Sequence, residues 1–541
     1  DEETAVVQFG KGDKYFGVAT VMVTMPGLPM FGHGQVQGFA EKYGMEFRRA
    51  YWQEKPDMEL VGRHQRELFP LMRRRYQFSG VDNFRLYDLW GDQGQVHEDV
   101  YAYSNQAYGA RSLVLYNNAY QTVWGWLSMS AGYVEKDDHG NRRHRQVHLA
   151  EALGLHNDHR SFCLMYENNS GLWYIRNSAD LCNNGLYVEL QGYQTQVFLD
   201  IYEVTDNEYA HYARLADSLR GGGVPDVDTA LKEIYLKPLH ESFALVANSG
   251  VCQELSSEFS GRKPKQASTW VELQDNYQRF LRVASEYSCG SGDVEGAAAE
   301  FKARLRTLLA TRHLELVRPQ EHVPSFKKAL HAFTLGLRET PARVSTMIAL
   351  LMLKPLSVLV HEDQPDAEDG CEEGQPNSAA GLAEDLMLLS RLDPVLPLRP
   401  YENEDSVAWK LRVRILLSNY NWLSLVEEGH SAAEITENLL SHSDINDYLN
   451  INTHQGEVWY NKERMDTLIW WLLAVGMLQI AYDDYTTRDS TSPDQSGEIV
   501  MTRVLRLYDY YERLRHAHEV ADYRVQRLLD ALNQPSVEAD S

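Results

Sequence analysis

The stretch Leu186-Tyr187-Val188-Glu189-Leu190 alternates between two faces, one carrying leucine and valine and the other tyrosine and glutamate. This alternation with a period of two residues is typical of a β-strand. Similar segments, separated by Gly, Asn and Asp turns, recur at residues 84–87, 100–103, 112–116, 172–175 and 197–201. Together the six strands predict an antiparallel β-sandwich over residues 81–205.

Helical periodicity replaces this alternation from residue 206 onward. Phe326, Ala329, Leu330, Phe333 and Leu337 recur at the three- and four-residue spacing of a single helix face. The pattern continues with interruptions to the end of the sequence, and it predicts a large α-helical domain over residues 206–541.

Two kinds of segment stand out within this helical region. Residues 362–380 are rich in acids and residues 486–497 are rich in Ser, Thr and Asp, and both compositions predict disordered loops. The apolar runs at 347–360 and 468–482 fall short of the roughly 18–20 residues that a membrane span needs. We therefore predict that both runs are buried helices and that the protein has no membrane partner.

Residues 1–80 resemble neither region. They mix short helical stretches with an apolar segment at 21–31 that we predict to be a strand. A later helix places Leu60, His64 and Leu68 on one face and ends in three consecutive arginines, which favour a helix C-terminus.

One motif in this first region carries a family resemblance. Met25-Pro26-Gly27-Leu28-Pro29-Met30-Phe31-Gly32-His33-Gly34-Gln35-Val36-Gln37-Gly38-Phe39 resembles the eighth-strand motif of the alpha-amylase family (glycoside hydrolase family 13). In that family an apolar strand opens with Pro-Gly-x-Pro and closes with Tyr-Gly-Gln/Glu, and here His33 stands in place of the usual aromatic residue. Asp1-Glu2 resembles the end of the family's seventh-strand motif.

The resemblance implies a fold and a set of site residues. Residues 1–80 would be the C-terminal end of a TIM-type (β/α)8 catalytic barrel, followed by the β-sandwich domain and the helical domain. Active sites of such barrels lie at the C-terminal ends of the strands. By resemblance, Asp1 would be the catalytic carboxylate that follows strand seven, and the substrate-binding residues would be His33, Gln35, Tyr43 and Trp52.

Each of these assignments has a structural alternative. Pro26, Gly27 and Gly34 could form ordinary turns around a buried strand, and His33 could be a structural histidine. Tyr43 and Trp52 could serve packing only. The sequence alone leaves these alternatives open.

The resemblance also implies a reaction, the hydrolysis or transfer of α-glucans by a retaining mechanism that depends on carboxylates. The family's nucleophile and acid come from strands four and five, which this sequence does not contain. We therefore expect the C-terminal part of a larger bacterial enzyme, inactive as this portion. The alternative is a non-catalytic carbohydrate-binding or protein-interaction scaffold.

Composition limits the partners. The 541 residues carry 52 basic and 77 acidic side chains, a net charge of −25, which disfavours nucleic acid. The five cysteines form no CxxC pair, so we predict reduced thiols, a cytoplasmic protein, no metal and no cofactor. An α-glucan or maltooligosaccharide is the predicted substrate, and the sequence gives no oligomeric state.

Overall fold

The computed structural model describes residues 3–41, 50–136, 142–259, 268–288, 292–311, 323–340, 342–360, 378–397, 404–487 and 493–534. These residues form two compact units, Asp1–Tyr235 and Leu236–Ser541. The first unit contains all but two of the strands that the structure describes, and the second is helical apart from one short hairpin.

The first unit begins with helices and continues with strands. Its helices are α1 (Ala5–Phe9), α2 (Asp13–Thr24), α3 (Met58–Arg63), a π-helical turn (His64–Leu68), α4 (Phe69–Arg73), a 3-10 turn (Arg75–Gln77), α5 (Leu149–Ala152), α6 (Ser178–Asn184), α7 (His211–Leu219) and α8 (Val227–Tyr235). Its strands are β1 (Arg85–Tyr87), β2 (Val100–Ala107), β3 (Ala110–Asn117), β4 (Val123–Leu127), β5 (Tyr133–Lys136), β6 (Arg142–Arg145), β7 (Ser161–Glu167), β8 (Leu172–Asn177), β9 (Leu186–Leu190), β10 (Thr195–Thr205) and β11 (Gly223–Val224).

Seven of these strands form one antiparallel sheet in the order β1-β2-β3-β10-β7-β8-β11. The sheet is open, with β1 and β11 at its edges. The predicted antiparallel β-structure is therefore present, together with many helices. The described residues contain no closed (β/α)8 barrel.

Both faces of the seven-stranded sheet are covered. On one face, Tyr103 of β2, Val114 of β3 and Val197 of β10 pack against apolar side chains of α2, α3 and the segment that follows α3. On the other face, the alternate residues of the same strands pack against the separate β4–β9 pair and against α5 and α6. Helices α7 and α8 cover the β7–β8 side of the sheet.

The strand that we predicted at residues 21–31 is not formed. Helix α2 continues through Thr24 because Tyr15, Phe16, Ala19 and Val23 keep one apolar helical face against the sheet. Residues 25–31 form bends and irregular structure, and none of the described strands pairs with them. An apolar run shows helical and strand spacing equally well, so the sequence pattern alone could not separate the two.

The second unit is built from helices around one large apolar core. They are α9 (Lys237–Ala244), α10 (Ser249–Phe259), α11 (Ser268–Ser285), α12 (Val294–Thr311), α13 (Pro324–Glu339), α14 (Ala342–Leu353), α15 (Ala379–Asp385), α16 (Leu388–Leu392), α17 (Ser406–Ser418), α18 (Leu423–Glu427), α19 (Ala432–Leu440), α20 (Ser443–Tyr448), α21 (Lys462–Thr487), α22 (Pro493–Val520) and α23 (Val525–Asn533), with 3-10 turns Lys354–Leu359 and Asp393–Val395. The hairpin consists of β12 (Asn452–His454) and β13 (Glu457–Trp459).

Of the two loops predicted to be disordered, the structure describes only residues 378–380 of the first and residues 486–487 and 493–497 of the second. The parts that are described are helical. Ser378 caps α15 by accepting a hydrogen bond from the backbone of Gly381, and α22 begins at Pro493, a residue that suits the first turn of a helix. The described ends of both segments therefore belong to helices or their caps, and the prediction of disorder otherwise concerns residues outside the described ones.

Two helical stretches, Ala342–Leu359 and Lys462–Thr487, have the length and apolar composition of a membrane span. They overlap the two apolar runs that we predicted to be buried, at residues 347–360 and 468–482. In the structure 72% and 78% of their apolar windows are buried inside the protein. This burial fits core helices of a soluble protein.

Helix α2 approaches the sheet closely at Gly17, and this contact is testable. A Cβ atom at Gly17 would lie 1.9 Å from the Tyr116 ring. We expect Gly17→Ala to lower the free energy of unfolding by about 1–3 kcal/mol through overpacking, although alanine is the better helix former. Gly80→Ala is the control, because a Cβ there meets no atom within 4 Å. Equal unfolding midpoints for the two variants in urea would contradict the packing argument.

Candidate functional site

Hydrogen bonds hold the backbone of the segment after α2, while its Leu28 and Met30 side chains face solvent. The Arg75 guanidinium donates hydrogen bonds to the carbonyl oxygens of Val23, Met25 and Gly27, the Met25 bond being 2.7 Å long. Leu28 is 86% exposed and Met30 is 74% exposed. Apolar side chains of this size are usually buried, so this segment is an apolar surface without a covering element among the described residues.

The segment leads into a tight turn that glycine makes possible. Gly34 has φ +70°, and a Cβ there would lie 2.5 Å from the Phe39 ring. The Phe39 amide donates to the Gly34 carbonyl at 2.9 Å. The turn presents His33 at the surface and directs Gln35 toward α2.

Gln35 joins a hydrogen-bonded chain that runs into the core. Its Nε2 donates to Tyr15 Oη at 3.1 Å, and Tyr15 Oη lies 2.8 Å from His64 Nε2. His64 Nδ1 lies 2.8 Å from the Leu60 carbonyl oxygen. Because a carbonyl can only accept, Nδ1 carries the proton, and the unprotonated Nε2 accepts from the Tyr15 hydroxyl. The chain therefore fixes one neutral tautomer of His64.

Burial sets the ionisation of both inner groups. Desolvation raises the pKa of Tyr15, and the hydrogen bond from Gln35 opposes this only partly. Desolvation also lowers the pKa of His64, outweighing its bond to the Leu60 carbonyl and the nearby charge of Glu67. Both groups are neutral at neutral pH. The hydrogen-bonded chain of Gln35, Tyr15 and His64 therefore carries no charge, and its role is to position Gln35.

Ion pairs hold the helices around this chain. Arg63 bonds Glu67 at 2.7 Å and Asp13 at 3.0 Å, and its guanidinium lies over the Phe16 ring. Asp57 caps α3 at the Leu60 amide, and its pKa is lowered first by its bond to Lys11 and then by that cap. These carboxylates have structural roles in the described part of the chain.

The predicted site residues fall into three groups. Gln35 is half-buried and bonded, and His33 is exposed two residues away on the same turn. Trp52 is 60% exposed in a separate loop, where its backbone amide donates to Glu41 at 2.9 Å. Asp1 and Tyr43 lie outside the described residues, so the predicted catalytic carboxylate has no described position.

His64 belongs to the hydrogen-bonded chain with Tyr15 and Gln35, but the sequence did not predict it as a site residue. It appeared only as part of an apolar helix face, where a histidine is usually a structural residue. The signal was a lone imidazole on an otherwise apolar stripe. Its partner Tyr15 lies 49 residues away along the chain, and Gln35, which bonds Tyr15, lies 20 residues from Tyr15. Sequence spacing could therefore not reveal these contacts.

Comparisons with protein-family models, with curated proteins and with solved structures found no match. Among the described residues, no group of three or more His, Cys, Asp and Glu side chains could hold a metal ion.

The neutral His64 makes the stability of this region depend on pH. Its folded pKa lies below the unfolded value of about 6.5, so its stabilising contribution is present above that pH and is lost as pH falls through the folded pKa. We expect the free energy of unfolding to fall more between pH 7.5 and pH 5 in the unmodified protein than in His64→Gln. Equal losses in the two proteins, measured by urea unfolding of the first unit, would rule out this contribution.

Proposed function

We propose that this chain forms the distal part of an α-glucan-acting glycoside hydrolase or glucanotransferase, as the resemblance to the alpha-amylase family implies. The observation that carries the proposal is the segment 25–31. It is apolar, it is exposed at Leu28 and Met30, no described strand pairs with it, and it runs from a helix into the Gly34-Gln35 turn. A segment that pairs with further chain would be apolar and unpaired in this way.

In this proposal the described residues shape a sugar-binding edge and leave bond cleavage to other groups. Retaining hydrolysis needs a carboxylate nucleophile and a carboxylic acid about 5 Å apart, and both would lie on strands outside these 541 residues. His33, on the exposed side of the turn, would contact sugar hydroxyls. The chain from Gln35 to His64 would hold that turn in place, and Asp1 would be the third carboxylate.

The alternative is a non-catalytic scaffold, and one observation favours it. The side-chain oxygen of Gln35 accepts a hydrogen bond from the Gly32 amide at 2.9 Å, and its side-chain nitrogen donates one to Tyr15 Oη. A side chain with both ends engaged inside the protein is typical of a structural network. If so, Gln35→Ala would lower stability without changing any sugar affinity.

Enzymatic activity provides the first test. The purified 541-residue chain should release no reducing sugar from maltodextrin, because in this proposal the nucleophile and the acid would not be among its residues. A longer natural form that contains further chain before Asp1 should be active and should lose that activity in Asp1→Asn. The proposal would be contradicted if the 541-residue chain released reducing sugar and Asp1→Asn released the same amount. Such a result would place the active site elsewhere.

Backbone protection provides a second test. The amides of Leu28, Met30 and Phe31 should exchange with deuterium faster than those of β3 and β10, because no described strand pairs with these residues. The longer natural form should protect the same residues, while β3 and β10 serve as internal controls in both proteins. Strong protection of residues 28–31 in the 541-residue chain would show that the segment is already paired, and it would remove the main support for the proposal.

A further inference from the structure

The β4–β9 pair has one buried face and one open face. The side chains of Val123 and Leu127 of β4, with those of Leu186, Val188 and Leu190 of β9, point toward the seven-stranded sheet. The alternate residues point outward. They are Trp124, Trp126, Tyr187 and Glu189, with Trp126 directly opposite Tyr187 and Trp124 opposite Glu189.

A third segment extends this outward face. Trp90 and Trp126 exchange two backbone hydrogen bonds of 3.0 and 2.8 Å, the geometry of directly opposed residues in antiparallel strands. Their side chains therefore lie on the same face. Gly125 permits this approach, because a Cβ there would lie 2.2 Å from the Trp90 carbonyl oxygen. We call the surface formed by Trp90, Trp124, Trp126 and Tyr187 the aromatic platform.

The platform concentrates the exposed tryptophans of the protein. Four tryptophans are exposed among those whose exposure is described, and three of them belong to the platform. Its four side chains are between 39% and 47% exposed. Isolated exposed apolar residues are ordinary, but a contiguous aromatic patch marks a binding surface.

Contacts within the protein fix the orientation of the platform's rings. The Trp126 and Tyr187 rings meet edge to face with centroids 5.2 Å apart. Trp124 Nε1 donates to Asp92 at 3.1 Å. Aromatic side chains that are fixed in this way lose little conformational entropy on binding.

Charge narrows the class of ligand. Residues 88–99, 123–127 and 186–190 contain five acids (Asp88, Asp92, Glu98, Asp99 and Glu189) and no lysine or arginine. Anionic ligands such as nucleic acid or phosphosugars would be repelled. Carboxylates accept hydrogen bonds from hydroxyl groups, and the flat aromatic faces suit the C–H faces of sugar rings.

A second copy of the chain is the main competing occupant, and the same charges oppose it. A two-fold interface places each surface patch against itself. Two platforms in contact would bring Asp92 and Glu189 of one copy close to the same residues of the other, and like charges across an interface are costly.

We propose that the aromatic platform binds a neutral glycan chain. The sugar rings stack on Trp90, Trp126 and Tyr187, and Glu189 and Asp92 accept hydrogen bonds from hydroxyl groups. The platform lies on the opposite side of the seven-stranded sheet from α2 and the segment 25–31. The proposal therefore does not depend on the enzymatic function proposed above.

Affinity electrophoresis of the 541-residue chain tests the platform. Native gels cast with glycogen should retard the protein, and parallel gels with barley β-glucan distinguish α-linked from β-linked chains. Trp126→Ala should weaken the apparent affinity at least about tenfold, as expected for a central aromatic contact. Tyr108→Ala is the matched control, because Tyr108 is an exposed aromatic residue outside the platform, and it should migrate as the unmodified protein does.

Three outcomes would overturn the proposal. One is the absence of retardation by either glycan. Another is retardation that both Trp126→Ala and the second variant Trp124→Ala leave unchanged. The third is self-association, seen in analytical ultracentrifugation, that Trp126→Ala abolishes while neither glycan retards the protein. Unchanged thermal unfolding of each variant shows that it is folded, and an inactive longer form with intact retardation would refute only the enzymatic proposal.

Discussion

Strand β10 is the constraint on which the first unit depends. It is 11 residues long, lies in the middle of the seven-stranded sheet and is apolar on both faces. Val197 and Leu199 belong to the core beneath the N-terminal helices, whereas Phe198 and Ile201 belong to the core beneath β4 and β9. A central strand with two apolar faces requires a covering layer on each side, and burial of each such side chain is worth roughly 1.5–3 kcal/mol.

A bulge in β10 links this core to the N-terminal helices. The register with β7 shifts between Leu199 and Tyr202, and Asp200 there has φ +47°. The shift turns the Asp200 carboxylate toward Arg74, which it meets at 2.6 Å. The neighbouring Arg75 holds the carbonyl groups after α2. Two of the three arginines that the sequence suggested only as a favourable helix end, Arg74 and Arg75, therefore connect the sheet to the candidate site.

The alternation of apolar and polar residues predicted strands correctly where one strand face is clearly more apolar than the other, as in β9. It failed to identify β4, because Val-Trp-Gly-Trp-Leu is apolar on both faces. It also assigned a strand to residues 21–31, where an apolar run permits either period. The helical domain was predicted to begin at residue 206, but α7 and α8 pack on the sheet, and the units divide after Tyr235. Of the site, the sequence indicated His33 and Gln35, but the partners of Gln35 come from long-range contacts that no local pattern contains.

The two exposed apolar surfaces of the first unit differ in what they can accept. Around Leu28 and Met30 the backbone has no strand partner in the described chain, so an occupant that satisfies it must supply backbone hydrogen bonds, as another strand does. In the aromatic platform the backbone is already paired, since β4 bonds to β9 on one side and to Trp90 on the other. Only ring faces and carboxylates remain available there. A polypeptide strand therefore suits the first surface, and a neutral ligand rich in hydroxyl groups suits the second.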